Sequence, residues 1–226
     1  MFLLIFWSLV VQNSSQSSVL DITSYFFIAT GVKDLIMFDA RDWGKFLRKS
    51  VKSGNLNNYL IKPVKILPYT FSTVLGQNLL NLSLASLYIC IGIFLKPPQS
   101  FYSVLFFGFY LINAFAISMA INLFEGALSL IFTEAGGITN SINHVSRVFS
   151  GALIPLSFFP EQIRYIVQLS PFPALVYGPA NNLGLSSISG NDIVVLWSGT
   201  FWAVVLNTAV IYFWFKSLKK YEAVGI

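Results

Sequence analysis

Phe101 to Phe132 reads FYSVLFFGFYLINAFAISMAINLFEGALSLIF, and Glu125 is its only charged residue. A helix of roughly 20 apolar residues crosses the bilayer core. This run is longer, so it predicts a crossing helix that tilts or continues beyond the membrane. The rest of the chain agrees. Of 226 residues, 55% are hydrophobic and only 10% are charged, against about 25% charged in an ordinary soluble domain. Mean hydropathy is +0.70. Too few polar side chains remain to cover a water-facing surface. Intrinsic disorder is also excluded, since it needs low hydrophobicity and high net charge.

Four more spans follow on either side of this run. Gly136-Gly137 interrupts it, and the next span is expected over about Ser141 to Phe158. The last covers Ile193 to Phe215 and ends on Lys216. On the N-terminal side, Lys96-Pro97-Pro98 stops a span that lies within Leu67 to Leu95. Another runs from about Val19 to Phe38, with Lys33 and Asp34 close enough to its end to reach the interface. Met1 to Val11 (MFLLIFWSLVV) is apolar but too short to cross, and it lacks the basic start and cleavage site of a signal peptide. It is expected to be the end of a first helix whose beginning is missing. Gln12 to Ser18 then reads as a loop, in which the Asn13-Ser14-Ser15 sequon fits chance. The expectation is one all-α domain over residues 1–226, a polytopic six-span bundle with its first span truncated.

The net charge is +5, and its placement says more than its sum. Of 14 Lys and Arg, seven lie from Arg41 to Lys65, and Lys216, Lys219 and Lys220 close the chain. Basic residues in short loops mark the cytoplasmic side. If residues 39–66 are cytoplasmic, counting spans puts the C-terminal tail inside too, and leaves Lys96 and Arg164 outside. This sorting explains the basicity without nucleic acid.

Three segments carry a mechanism. In Asp39 to Lys52 (DARDWGKFLRKSVK), the residues Trp43, Phe46, Leu47 and Val51 recur at helical spacing among charges, which predicts an amphipathic helix in or under the membrane surface. Ser53-Gly54-Asn55 is turn chemistry, and Leu56 to Ile61 leads to Lys62-Pro63. Such a helix either rests on anionic lipid or docks a cytoplasmic partner. The second segment, Gly151 to Gly184, is apolar but broken by Pro155, Pro160, Pro171, Pro173 and Pro179. Proline removes a backbone donor and breaks helices, so short helices dipping into the outer leaflet are expected, as an outer cap or as a loop resting on the bundle. The third is the pair Glu125 and Arg147, ionisable residues in apolar helices, which usually face the bundle interior and find a partner. From the cytoplasmic helix ends they lie roughly 10 and 12 Å deep at 1.5 Å per residue. An ion pair between them is expected, with Glu134 a rival partner.

Other chemistry is missing. Gly44-Lys45 lacks the glycine spacing of a phosphate-binding loop, so no ATP site is expected in this chain. No nucleophile elbow or zinc motif occurs. Cys90 and His144 are the only residues of their kinds, which leaves no metal cluster, disulfide, cofactor site or catalytic set.

Ser150-Gly151-Ala152-Leu153-Ile154-Pro155-Leu156-Ser157-Phe158-Phe159-Pro160 resembles the Ser-Gly…Pro-Leu…Phe-Phe-Pro stretch of bacterial type-2 ABC exporter permeases. Pro171-Phe172-Pro173-Ala174, then Gly178-Pro179 and Gly184, is similar to that group's following stretch. Lys52-Ser53-Gly54-Asn55-Leu56, Tyr59-Leu60 and Lys62-Pro63 resemble its cytoplasmic element. Phe132-Thr133-Glu134-Ala135 and Lys220 to Gly225 also fit. The resemblance implies a six-helix permease in a bacterial-type plasma membrane, paired with itself or a sister permease and with ABC ATPase subunits. It implies that residues 39–62 form the ATPase-coupling segment, with Trp43, Phe46, Gly54, Leu56, Tyr59 and Leu60 as contacts. It also implies that residues 151–184 form an outer re-entrant cap. Glu125 falls where the family is usually apolar. The rival readings are an ATP-independent channel or secondary transporter, which needs coupling groups or inverted repeats, and a non-transporting scaffold.

Overall fold

The computed structural model describes residues 19–36, 43–98, 100–132, 134–184 and 190–221. The apolar Met1 to Val11 run, the Gln12 to Ser18 loop, Asp39 to Asp42 and Glu222 to Gly225 lie outside the described residues.

Among the described residues the chain is all helical. Helices α1 (Val19–Leu35), α2 (Trp43–Lys52), α3 (Leu56–Leu60), α4 (Ile66–Gln77) and α5 (Leu79–Leu95) precede the long α6 (Phe101–Ile131). Then come α7 (Gly136–Phe149), α8 (Glu161–Gln168), α9 (Tyr177–Gly184) and α10 (Gly190–Leu218). Among the described residues, α6 and α10 are each long and apolar enough to cross a membrane, and α4 with α5, bent by 66° between them, forms either a broken span or a re-entrant loop.

The bend has a local cause. No proline lies there; Asn78 leaves helical geometry at φ −104° and ψ 9°, and its Nδ2 and backbone N–H both donate to the Val74 carbonyl, at 2.9 and 3.1 Å. The span expected over Ser141 to Phe158 also differs. Its helix starts earlier, at Gly136, and stops at Ser150, because Gly151 takes φ +83° and Pro155 follows. In that left-handed region a side chain is strained, which is why glycine stands there.

Small residues let the spans approach. Gly31 of α1 sits against Ala85 and Ile89 of α5, and Gly92 of α5 against Ile28 and Ser24. The Ser24 hydroxyl donates to the Gly92 carbonyl at 2.8 Å. Close backbone contact of this kind replaces the hydrophobic drive that lipid removes. On the other side, α10 runs alongside α6. Asn113 Nδ2 donates to Thr200 Oγ1 at 2.9 Å, and Asn207 Nδ2 to the Ala116 carbonyl at 2.9 Å. Large apolar side chains point outward, among them Leu80, Phe94, Phe109, Trp197 and Phe201. A contiguous exposed apolar surface marks a membrane or partner contact.

Candidate functional site

The segment expected to face the cytoplasm is built on α2. Its apolar stripe does not rest on lipid. Trp43, Leu47 and Val51 are buried in protein, against the last turns of α6 and against α4. The Trp43 indole donates to Thr70 Oγ1 at 3.0 Å, and its ring meets Phe71 edge-on at 5.6 Å. The first turn of a helix leaves backbone donors unpaired. Here the Gly44 N–H is satisfied from outside the helix, by Asn122 Oδ1 of α6 at 2.7 Å. A Cβ on Gly44 would lie 2.7 Å from the Asn122 carbonyl oxygen, so only glycine permits this approach. Further along, Leu47 packs on Gly126 of α6, where the Trp214 ring of α10 also rests. Arg48 donates to Thr139 of α7, and Lys52 meets Glu134 at 2.7 Å. The hydrogen bond from Lys52 and its charge hold the Glu134 carboxyl below its ordinary value of 4.5. Thus α2 lies lengthwise on α6, held at both ends.

Gly54, at φ +72°, turns the chain from α2 into α3. Leu56 is fully buried and anchors α3 to its own chain. Tyr59 stands between Phe46 at 6.0 Å and Tyr69 at 5.7 Å, which links α2, α3 and α4 through ring contacts. Lys62 closes the stack: its ammonium lies 4.6 Å from the Tyr69 ring centre and donates to the Tyr69 hydroxyl at 2.8 Å. Beyond it the surface turns apolar. Leu60 is 40% exposed, Ile61 80% and Val64 48%. Sequence reasoning named Leu60 but missed Ile61 and Val64. Their flanking by Lys62, Pro63 and Lys65, which cannot bury them in a regular element, was the available signal.

Glu125 and Arg147, the pair expected within the membrane, are placed as follows. Glu125 is 1% exposed, and its Oε1 accepts from Asn143 Nδ2 of α7 at 2.7 Å. Arg147 follows Asn143 by one turn on the same helix face and is half-buried. Glu134, the rival carboxylate, is taken by Lys52. Asn143 is a partner that sequence reasoning missed, since a single asparagine in a polar helix start carries no distinguishing pattern.

The proline-broken segment inserts between α1 and α6. The Tyr25 hydroxyl of α1 donates to the Gly151 carbonyl at 2.8 Å, and the Tyr177 N–H to the Ser150 carbonyl at 2.8 Å. Pro155, Pro173 and Pro179 are buried, Pro171 is half-buried and Pro160 is exposed at the head of α8. Ala174, Leu175, Val176 and Ala180 join the core formed with α1 and α6. Polar groups then fasten α9: Asn182 donates to the Ser103 carbonyl at 2.6 Å and Asn181 to Asp192 Oδ1 at 3.0 Å. Tyr110 donates to the Asp192 carbonyl. Tyr25 lies roughly 9 Å along α1 from Val19, the first described residue of that helix.

A family model described as ABC-2 family transporter protein matches residues 2–225. No curated protein matches, and no solved structure does.

Proposed function

We propose that this chain, which belongs to the ABC-2 family of transporter proteins, is the permease subunit of an ATP-driven exporter. It is an integral membrane protein, and its family comprises transport subunits. ATP hydrolysis then falls to a separate ABC ATPase subunit bound at residues 39–62. The permease pairs with a second copy or a sister permease in a bacterial-type plasma membrane, with its C-terminus cytoplasmic. The substrate that crosses is hydrophobic or amphipathic.

The observation that carries the docking assignment is the apolar patch of Leu60, Ile61 and Val64 in a lysine-rich connection. Large apolar side chains exposed at a water-facing turn fit a protein contact. Closure of an ATPase pair would push on α3. The Phe46–Tyr59–Tyr69 stack passes that push to α2 and α4, and α2 is fastened to α6 at Asn122. The segment of residues 151–184, inserted beside α6, acts as the outer cap that opens in response. Glu125, joined to Asn143, couples α6 to α7 on the same route, and Arg147 is its expected ionic neighbour.

The test is co-expression with the ATPase subunit and capture of the permease. Ile61→Asp and Leu60→Asp change exposed residues, so the permease still folds, but the ATPase is lost from the complex and transport stops. Full ATPase retention and transport in the double variant would overturn the assignment.

A further inference from the structure

A cleft of about 870 Å³ opens at the cytoplasmic end of the bundle, between α2, the end of α6, the start of α7 and the end of α10. Small-ligand sites fall in roughly the 300–1,000 Å³ range. Five cationic side chains line it: Lys45, Arg48, Lys49, Lys52 and Lys220. Among the described residues its one carboxylate, Glu134, is held by Lys52. Lys49 and Lys220 are exposed, and neither forms an ion pair among the described residues. The opposite wall is apolar, made by Leu130, Ile131 and Phe132. The Tyr221 hydroxyl also lines the cleft, buried and without a hydrogen-bond partner among the described residues.

We propose that this cleft binds the phosphate-bearing headgroup of an anionic phospholipid. The cations supply the charge and the apolar wall receives the first part of the acyl chains. Depth favours a lipid over a soluble phosphate. The apolar run of α10 ends at Phe215, and Lys220 follows it by five residues, about 7 Å at 1.5 Å per residue. The headgroup layer is roughly 5–7 Å thick on each side of the hydrocarbon. Basic pockets between membrane helices on the cytoplasmic side suit anionic headgroups. The proposal rests on the cytoplasmic orientation given above and on ATPase contact being made at Leu60, Ile61 and Val64, which leaves the cleft side of α2 open; it does not rest on transport, and its failure leaves that docking reading standing.

The test uses the purified full chain in detergent, titrated with phosphatidylglycerol, phosphatidylcholine or inorganic phosphate and read by native mass spectrometry. Phosphatidylglycerol binds at least ten-fold more tightly than phosphatidylcholine. The double variant Lys49→Gln/Lys220→Gln weakens phosphatidylglycerol about 25-fold, at roughly five-fold per cation removed, and leaves phosphatidylcholine unchanged. Lys49→Arg/Lys220→Arg keeps wild-type binding. Lys65→Gln/Lys219→Gln removes the same charge outside the cleft and changes binding less than two-fold. Equal affinity for both lipids, or equal loss in the Lys65/Lys219 control, overturns the site. Displacement of the lipid by inorganic phosphate at matching concentration makes it a free-anion site instead. If the Lys49/Lys220 variant binds lipid normally but loses the ATPase subunit, the cleft is a protein interface and the proposal fails.

Discussion

Gly44→Ala tests whether α2 is a fixed lever on α6 or a helix resting loosely at the membrane. The added Cβ would sit 2.7 Å from the Asn122 carbonyl oxygen, 3.1 Å from its Cα and 3.1 Å from Glu125 Cβ. Two of these are backbone atoms of a long helix that cannot turn aside, so α2 must move off α6. Overpacking of this kind costs about 1–3 kcal/mol. The displacement also strains the 2.7 Å bond from the Gly44 N–H to Asn122 Oδ1, adding about 0.5–1.5 kcal/mol. Against this, alanine gains at most about 1 kcal/mol in helix propensity. The net loss is about 1–3 kcal/mol, or roughly 2–10 °C in apparent midpoint for a chain of this length. Gly108 of α6 is the control, because a Cβ there meets nothing within 4 Å. Gly108→Ala should raise the midpoint by roughly 2–4 °C. Both are measured by tryptophan fluorescence on heating in detergent. Opposite signs are expected, and a Gly44→Ala protein as stable as wild type would refute the lengthwise packing of α2.

Two further predictions concern the ends of the bundle. Gly151→Ala places a Cβ at φ +83° and 2.8 Å from both Tyr177 Cβ and the Tyr25 hydroxyl; it should cost about 1–3 kcal/mol, and Tyr25→Phe about 1 kcal/mol, both read as lowered midpoints with the cap more open to protease. The Lys52–Glu134 tie has a definite pH sense. The Glu134 carboxyl is held below 4.5 in the folded protein, so its contribution is complete above the ordinary carboxylate range and is lost as pH falls through the lowered value. The midpoint difference between wild type and Glu134→Gln should therefore stay flat from pH 8 to about 5.5 and shrink below pH 4.5; a difference that changes near neutrality would contradict the pairing.

The helices were legible where composition alone decides them. The run Phe101 to Phe132 has no alternative to a long apolar helix, and it is one, over Phe101–Ile131. What sequence reasoning missed rests on single side chains in ordinary surroundings. The bend after Gln77 falls at one residue, Asn78, whose backbone leaves helical geometry and whose side chain bonds the preceding turn, and nothing in the sequence sets it apart from the asparagines around it. The break after Phe149 was masked by the apolar residues that continue past Gly151, since hydrophobicity does not report backbone conformation. At the candidate site, the helical spacing of Trp43, Leu47 and Val51 identified the buried stripe, but not its partner. An amphipathic pattern looks the same whether the apolar face meets lipid or protein. Gly44 was the available signal, as a glycine in the stripe admits a neighbouring backbone but not a bilayer.

That choice of partner decides how a push from below is delivered. A helix floating on lipid would dissipate it by sliding. Here α2 is tied at its start to Asn122, at its middle to Gly126 through Leu47, and at its end to Glu134. Two of these contacts join α2 directly to α6, so a displacement of α2 would have to move the end of α6 or break them. The next joint on α6 is its bond from Glu125 to Asn143, and the upper one is Tyr110, which holds the Asp192 carbonyl beside the cap. On the proposed docking, force entering at Ile61 would pass through α3 and α2 to α6, and along α6 to the segment of residues 151–184. Cutting that path at Gly44 should uncouple ATP hydrolysis from transport while leaving the ATPase bound. Cutting it at Ile61 should release the ATPase altogether. Co-purification and hydrolysis assays separate the two outcomes, and loss of the ATPase in both would mean that α2, not α3, is the docking surface.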